Sequence, residues 1–195
     1  MDFVHLHNHS HYSLLDGLAK IDEIVSSAKS QGMNAIALTD HGNVYGAIEF
    51  YKKAKKEGIK PILGVEAYLA PKSRFDKTSV DSEKYYHLTL LAKNETGWKN
   101  ILQLVTKANL EGFYYKPRLD KELLGKHHEG IIALSGCPAG EIPRLISKGK
   151  KDEAKKALQE YKEIFGDDFY VEIWHQPKIK ELHELVPLLV GLARE

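Results

Sequence analysis

Residues 3–11 run Phe3-Val4-His5-Leu6-His7-Asn8-His9-Ser10-His11, a short apolar stretch that passes directly into alternating histidines. On an extended chain, residues two apart point to the same side, so this spacing gathers several imidazoles at the end of a strand. Neutral imidazole is the commonest protein metal ligand, which makes the arrangement a chelating one. The competing interpretation is a solvent-exposed, His-rich strand end without a ligand.

Outward from this segment, short aliphatic or β-branched runs alternate with longer stretches of helical period, the mark of βαβ units around a parallel sheet. Strands are predicted at Phe3 to His7, Ala35 to Asp40, Pro61 to Leu69, His87 to Ala92, Gly130 to Ser135 and Phe169 to Trp174. Each is nearly all apolar, as strands covered on both faces are. Helical stripes are predicted at Ile21, Ile24, Val25 and Ala28, and at Trp98, Ile101, Leu102 and Val105. Gly32 and Gly58 sit at helix C-terminal positions. A last helix carries Leu182, Leu185, Val186, Leu189 and Leu192, with Pro187 implying a kink or restart. The polar stretch Pro71 to Lys84 is expected to be an exposed loop.

Six such units suit a barrel or an open doubly wound sheet, and periodicity alone leaves both open. The polar residues favour a barrel. No GxGxxG or GxxxxGK[ST] loop follows any strand, whereas His, Asp and Glu gather at several different strand ends, as when a βα barrel assembles one site from many loops.

Leu38-Thr39-Asp40-His41-Gly42 sets an acid and an imidazole at one such end, where catalytic groups of βα barrels sit; the lesser alternative is that Asp40 caps the next helix. Glu66 is a lone charge within Gly64-Val65-Glu66-Ala67-Tyr68 and calls for a cationic partner or a metal. Asp16 precedes Gly17, so it is either a turn aspartate or a carboxylate returned to the histidines. His87 opens an apolar strand and by itself reads more readily as a hydrogen-bonded core histidine than as a ligand. Cys137 in Ser135-Gly136-Cys137-Pro138 is either a packed thiol or a ligand. His175 lies at the sixth strand end; His127, His128 and His183 belong to polar or helical surroundings. The lysines at 148, 150, 151, 155 and 156 are interleaved with acids and form a solvated helix face.

Twenty-eight Lys and Arg balance 27 Asp and Glu, so no global positive field drives binding to phosphate backbones and any nucleic-acid contact is local. A single cysteine excludes an internal disulfide framework and fits a cytoplasmic location. No apolar run approaches the length of a membrane span, and the N-terminus lacks the pattern of a signal peptide. One domain, residues 1–195, is expected.

In order and spacing, HLHNHSHYSLLDG, ALTDHG, GVEAY, YYHLTLLAKN and ALSGC resemble the PHP (polymerase and histidinol phosphatase) domain, in the branch attached to bacterial replicative polymerase alpha subunits. The resemblance implies a distorted (β/α)7 TIM-like barrel, apparently truncated before its last strand, because a final Asp-x-His motif is absent. It implies metal ligands at His7, His9, Asp16, His41, Glu66, His87 and Cys137, with Asp40 and His41 as catalytic residues. His5 stands where many members carry aspartate, and Cys137 where the phosphatases carry histidine. Two or three divalent ions, Zn, Mn or Fe, are the implied cofactors. The implied activity is metal-dependent phosphoester hydrolysis, as a 3'-5' exonuclease acting on DNA ends beside the polymerase. The alternatives are a metal-stabilised scaffold that supports the polymerase and docks a proofreading subunit, and a stand-alone histidinol-phosphate phosphatase. Polymerisation itself would need carboxylates of further domains.

Overall fold

The computed structural model describes residues 3–78, 85–174, 176 and 178–194. Its elements are α1 (Ile21–Ser30), β1 (Ala35–Leu38), α2 (Ala47–Lys56), β2 (Lys60–Leu69), β3 (Tyr86–Ala92), α3 (Glu95–Leu110), β4 (Phe113–Tyr114), β5 (Lys116–Leu119), α4 (Lys121–Lys126), β6 (Ile131–Leu134), α5 (Glu141–Ser147), α6 (Lys151–Phe165), β7 (Phe169–Tyr170) and α7 (Lys180–Arg194). The strands form one mixed, seven-stranded sheet ordered β4-β5-β2-β3-β6-β7, with β1 also paired to β2. β2 is long enough to serve two neighbours: residues 60–63 pair with β1 and residues 68–69 with β5, both parallel.

An all-parallel sheet is therefore not what forms. β3 runs antiparallel to both β2 and β6. A parallel strand needs a crossover, usually helical, and the segment joining β2 to β3 contains no helix among its described residues. A short antiparallel hairpin, β4–β5, adds two strands that the apolar-run pattern does not reveal.

Alternation along the strands separates two faces. Val65, Ala67, Leu69, Leu88, Leu90, Ile131 and Ala133 pack beneath α3, α5, α6 and α7 in the larger core cluster. The other face carries Ala37, Leu91 and Leu134, with Ile62 and Ile132, as an apolar floor. Farther along it lie Glu66, paired with Thr89, and Tyr68, paired with His87. Burial of both faces explains the continuous apolar runs. A separate cluster, including Ile21, Val25, Ile36, Phe50 and Ile59, seats α1 and α2 against β1.

Several predicted elements shift. Residues 3–7 are not a strand, although their extended backbone lies along β1, with Ala37 N–H donating to His5 O at 3.0 Å and Thr39 N–H to Asn8 O at 2.9 Å. Of Phe169 to Trp174, only the first two residues pair with β6. The buried stripe of α3 is Gly97, Ile101, Leu104 and Ala108, and Leu102 faces outward. The close approach of Gly97 to the Gly130 carbonyl sets that rotation, because any Cβ there would stand 1.7 Å from the oxygen. α7 continues through Pro187 without a restart. Gly32 and Gly58 do end α1 and α2, at φ of 73° and 76°. Within the expected loop, Arg74 is buried and its Nη1 donates to Asp120 Oδ1 at 2.9 Å, while residues 79–84 lie outside the described set. Among the described residues no helix is long and apolar enough to cross a membrane.

Candidate metal centre

Glu66 is the hub. Its position on β2 turns its side chain to the sheet face away from the helices, where it is 1% exposed. Four imidazoles surround it: His7 Nε2 stands 3.1 Å from Oε1, His87 Nδ1 3.0 Å from Oε1, His9 Nε2 3.7 Å from Oε2, and His41 Nδ1 in contact with Oε2. His7 and His9 come from the extended N-terminal segment, His41 follows β1, and His87 is the second residue of β3. Because β3 is antiparallel, a residue at its start reaches the same edge as the C-terminal ends of β1 and β2. Gly42 makes room beside His41: at φ 62° it favours glycine, and a Cβ there would stand 2.8 Å from the Tyr68 ring.

Two groups of potential ligands share Glu66: His7, His9 and Glu66, and His41, Glu66 and His87. Within each group the donor atoms lie within 4.8 Å of one another. Asp16 Oδ2 reaches His41 Nε2 at 2.9 Å, and Cys137 Sγ lies 3.4 Å from His87 Nδ1. All seven residues expected as ligands thus converge. His5 and His11 do not join: the first meets Phe3 edge-on and the second packs on Tyr12. His175 lies outside the described residues.

Asp40 departs from its expected catalytic place. Its Oδ1 accepts from Ser10 N–H at 2.7 Å and Ser13 Oγ at 2.7 Å, and its Oδ2 from Ser10 Oγ at 2.8 Å. A buried carboxylate engaged by three donors anchors the 10–13 turn to the end of β1, and so positions His9 and His41 rather than facing the cluster.

Glu172, not singled out by the sequence motifs, belongs to the centre. Its Oε1 accepts from His7 Nδ1 at 2.6 Å and from Trp174 Nε1 at 2.6 Å, and Thr89 Oγ1 donates to its Oε2 at 3.2 Å. The signal that could have found it is the one that exposed Glu66, a lone acid in an apolar run, here Phe169-Tyr-Val-Glu-Ile-Trp174.

The donor set suits divalent metal. His7 Nε2, His9 Nδ1, His41 Nδ1 and Glu66 Oε2 are buried without a well-directed hydrogen bond, and all but His9 Nδ1 meet only as ion-pair contacts around the Glu66 carboxylate, an arrangement that is expensive for polar atoms unless an ion engages them. The electrostatics agree. Burial opposes charge on His7, but the hydrogen bond to Glu172 and the adjacent Glu66 carboxylate outweigh it and raise its pKa to about 9. Burial lowers that of His9 to about 4. Burial also disfavours the Glu66 anion, yet His41, His7 and His87 hold that carboxyl far below the ordinary range. Burial and then Glu66 push the Cys137 thiol up to about 12, so ligation by sulfur requires a cation to displace its proton.

The family described as the PHP domain matches residues 5–176. The chain is 50% identical over 195 residues to a DNA polymerase III subunit alpha of Treponema pallidum and 54% identical over 194 residues to that of Borreliella burgdorferi. Each alignment covers 99% of this chain but 17% of the relative, so the chain spans about a sixth of their length. Among solved structures, a protein described as a metal-dependent phosphoesterase from Bifidobacterium adolescentis superposes with a TM-score of 0.55 at 14% identity, covering 98% of this chain and 84% of that one. That likeness is one of fold.

Proposed function

The chain belongs to the PHP domain family, and from that premise we propose that it is the PHP domain of a bacterial DNA polymerase III alpha subunit, hydrolysing phosphodiesters at DNA 3' ends with two or three bound divalent ions. The observation that carries this reading is the sharing of Glu66 between two groups of imidazoles, which would let one buried carboxylate serve the ions that either group would hold. Zn, Mn or Fe suits the mixture of imidazole, carboxylate and thiol better than Mg. When bound, such ions supply positive charge to the phosphate and acidify a water nucleophile.

The protein's own residues do the rest. His7, His9, His41, His87, Glu66, Asp16 and Cys137 hold the ions. Glu172 fixes His7 by accepting from Nδ1, which turns Nε2 toward the cluster. Asp40 holds the turn that follows His9, and Ser13 of that turn accepts from the His41 N–H at 3.1 Å. The barrel expected from the family is consistent with the contacts: residues 5–8 lie along β1 at one side of the sheet, and Glu172, just beyond β7 at the other, bonds to His7. The partners in this reading are DNA, the rest of the alpha subunit and a proofreading subunit, in the cytoplasm.

The test is manganese-stimulated release of nucleotides from single-stranded DNA, with metal content measured on the same samples. His9→Ala should abolish release. Release that persists would refute the assignment, and loss of thermal stability with release intact would mean that the ions serve the scaffold alone.

A further inference from the structure

Between β4 and β5 the chain reverses at one residue, Tyr115, with φ of 60°. It is the one non-glycine residue at positive φ among the described residues, an uncommon conformation for a bulky side chain. Strain of this kind persists where surrounding contacts over-determine it, and it clusters at binding sites. The contacts are present. Arg118, 1% exposed, donates from Nε to Gly112 O at 3.2 Å and from Nη2 to Asp76 O at 2.7 Å. Its guanidinium lies 4.9 Å over the Tyr114 ring, which meets the Tyr115 ring edge-on at 4.7 Å. Tyr115 is nevertheless 63% exposed.

Lys116 follows, with Nζ 5.4 Å from the centroid of the Tyr68 ring. Tyr68 stands 6.1 Å from His41 and 5.3 Å from His87, ring to ring, so one aromatic ring separates the ammonium from the metal ligands. No carboxylate among the described residues pairs with Lys116, and Pro117 abuts Gly42 next to His41. A cation one ring away from the imidazole cluster, next in sequence to an exposed aromatic ring held against Tyr114, supplies the two elements that grip a single nucleic-acid strand, charge for the backbone and a face for a base.

We propose that the Tyr115–Lys116 turn is a nucleotide-binding rim of the metal centre, in which Lys116 holds the phosphate adjoining the one at the metals and Tyr115 stacks on a base. The inference rests on the phosphodiesterase reading and assigns the substrate contacts beyond the reacting phosphate to two residues of this turn.

The experiment is fluorescence anisotropy of manganese-loaded protein with a labelled phosphorothioate oligothymidylate of about eight nucleotides, which reports binding without turnover. Tyr115→Gly is the informative variant, because glycine accepts the positive φ and should melt no lower than the parent while binding about tenfold more weakly. Lys116→Met should weaken binding and reduce the slope of log affinity against log salt by about one. Parental affinity in both variants, or no binding by the parent, would overturn the proposal. Binding that depends on both residues, without cleavage of an ordinary phosphodiester probe, would sink the hydrolytic reading and leave the rim standing; cleavage with unaltered binding in the variants would do the reverse.

Discussion

Glu172 shows how much of the centre depends on one hydrogen bond. It accepts from His7 Nδ1, and removing an outer carboxylate of this kind typically weakens metal affinity about 10- to 100-fold. Glu172→Gln should therefore lower affinity by that range in competition with a chelator; unchanged affinity would show that His7 is oriented by packing alone. At this scale the site was largely legible. Alternating histidines and a lone acid in an apolar run single out His7, His9 and Glu66, because those patterns follow from chelation and from the expense of buried charge. The aim of each side chain was not legible: Asp40 looks catalytic in ALTDHG, yet Ser10 and Ser13, remote in sequence, claim its carboxylate. His5 and His11 share the alternation of His7 and His9 but face other rings.

Among the elements, α4 carries the clearest vulnerability. Asp120 caps it by accepting from Leu123 N–H at 3.0 Å and also pairs with buried Arg74. Asp120→Ala removes the cap and takes from buried Arg74 the carboxylate facing Nη1, leaving Glu111 at Nε and Glu122 at 3.6 Å, so unfolding in urea should show a loss of about 2–4 kcal/mol. A loss below about 1 kcal/mol, the ordinary worth of a surface pair, would mean that Glu111 and Glu122 satisfy Arg74 without Asp120. Neither residue stands out in the sequence, because a long-range ion pair leaves no periodic trace. Strand existence was readable from apolar runs, but direction was not: the polar stretch Pro71 to Lys84, without an apolar helical period in its sequence, was the available clue to the antiparallel course of β3, which explains how His87, at a strand's beginning, joins residues at strand ends. β7 is shorter than its apolar run because only its first two residues find a partner in β6.

The whole domain should feel its metal centre through stability. In the metal-free protein the His7 pKa is raised from 6.5 to about 9, with burial opposing charge and Glu172 and Glu66 favouring it. A folded pKa above the unfolded one contributes stability that is fully present below about 6.5 and is lost as pH rises through about 9. Ligation requires the neutral ring, so within that window ion uptake at His7 releases a proton and tightens as pH rises. Calorimetry between pH 7 and 9 should show the chelator-stripped protein losing stability more steeply than the loaded one. At a hundredfold excess over Kd, a bound ion adds about 2.7 kcal/mol, or about 5–10 °C in Tm for a domain of this size. Superimposable melting curves with and without metal would exclude a folded-state metal site.

The two-faced sheet also guards its own assembly. Along β2 the side chains alternate between the helix-covered core and the imidazole cluster, so a slip of one residue against β3 would exchange Val65 for Glu66. The carboxyl would then enter the company of Leu88 and Leu90 with no cation to pair it and no hydrogen-bond partner if protonated, and the histidines would close on a valine. A misthreaded chain is thus rejected by its own electrostatics before any ligand is present, and the residue that organises the chemistry doubles as the checksum of the fold.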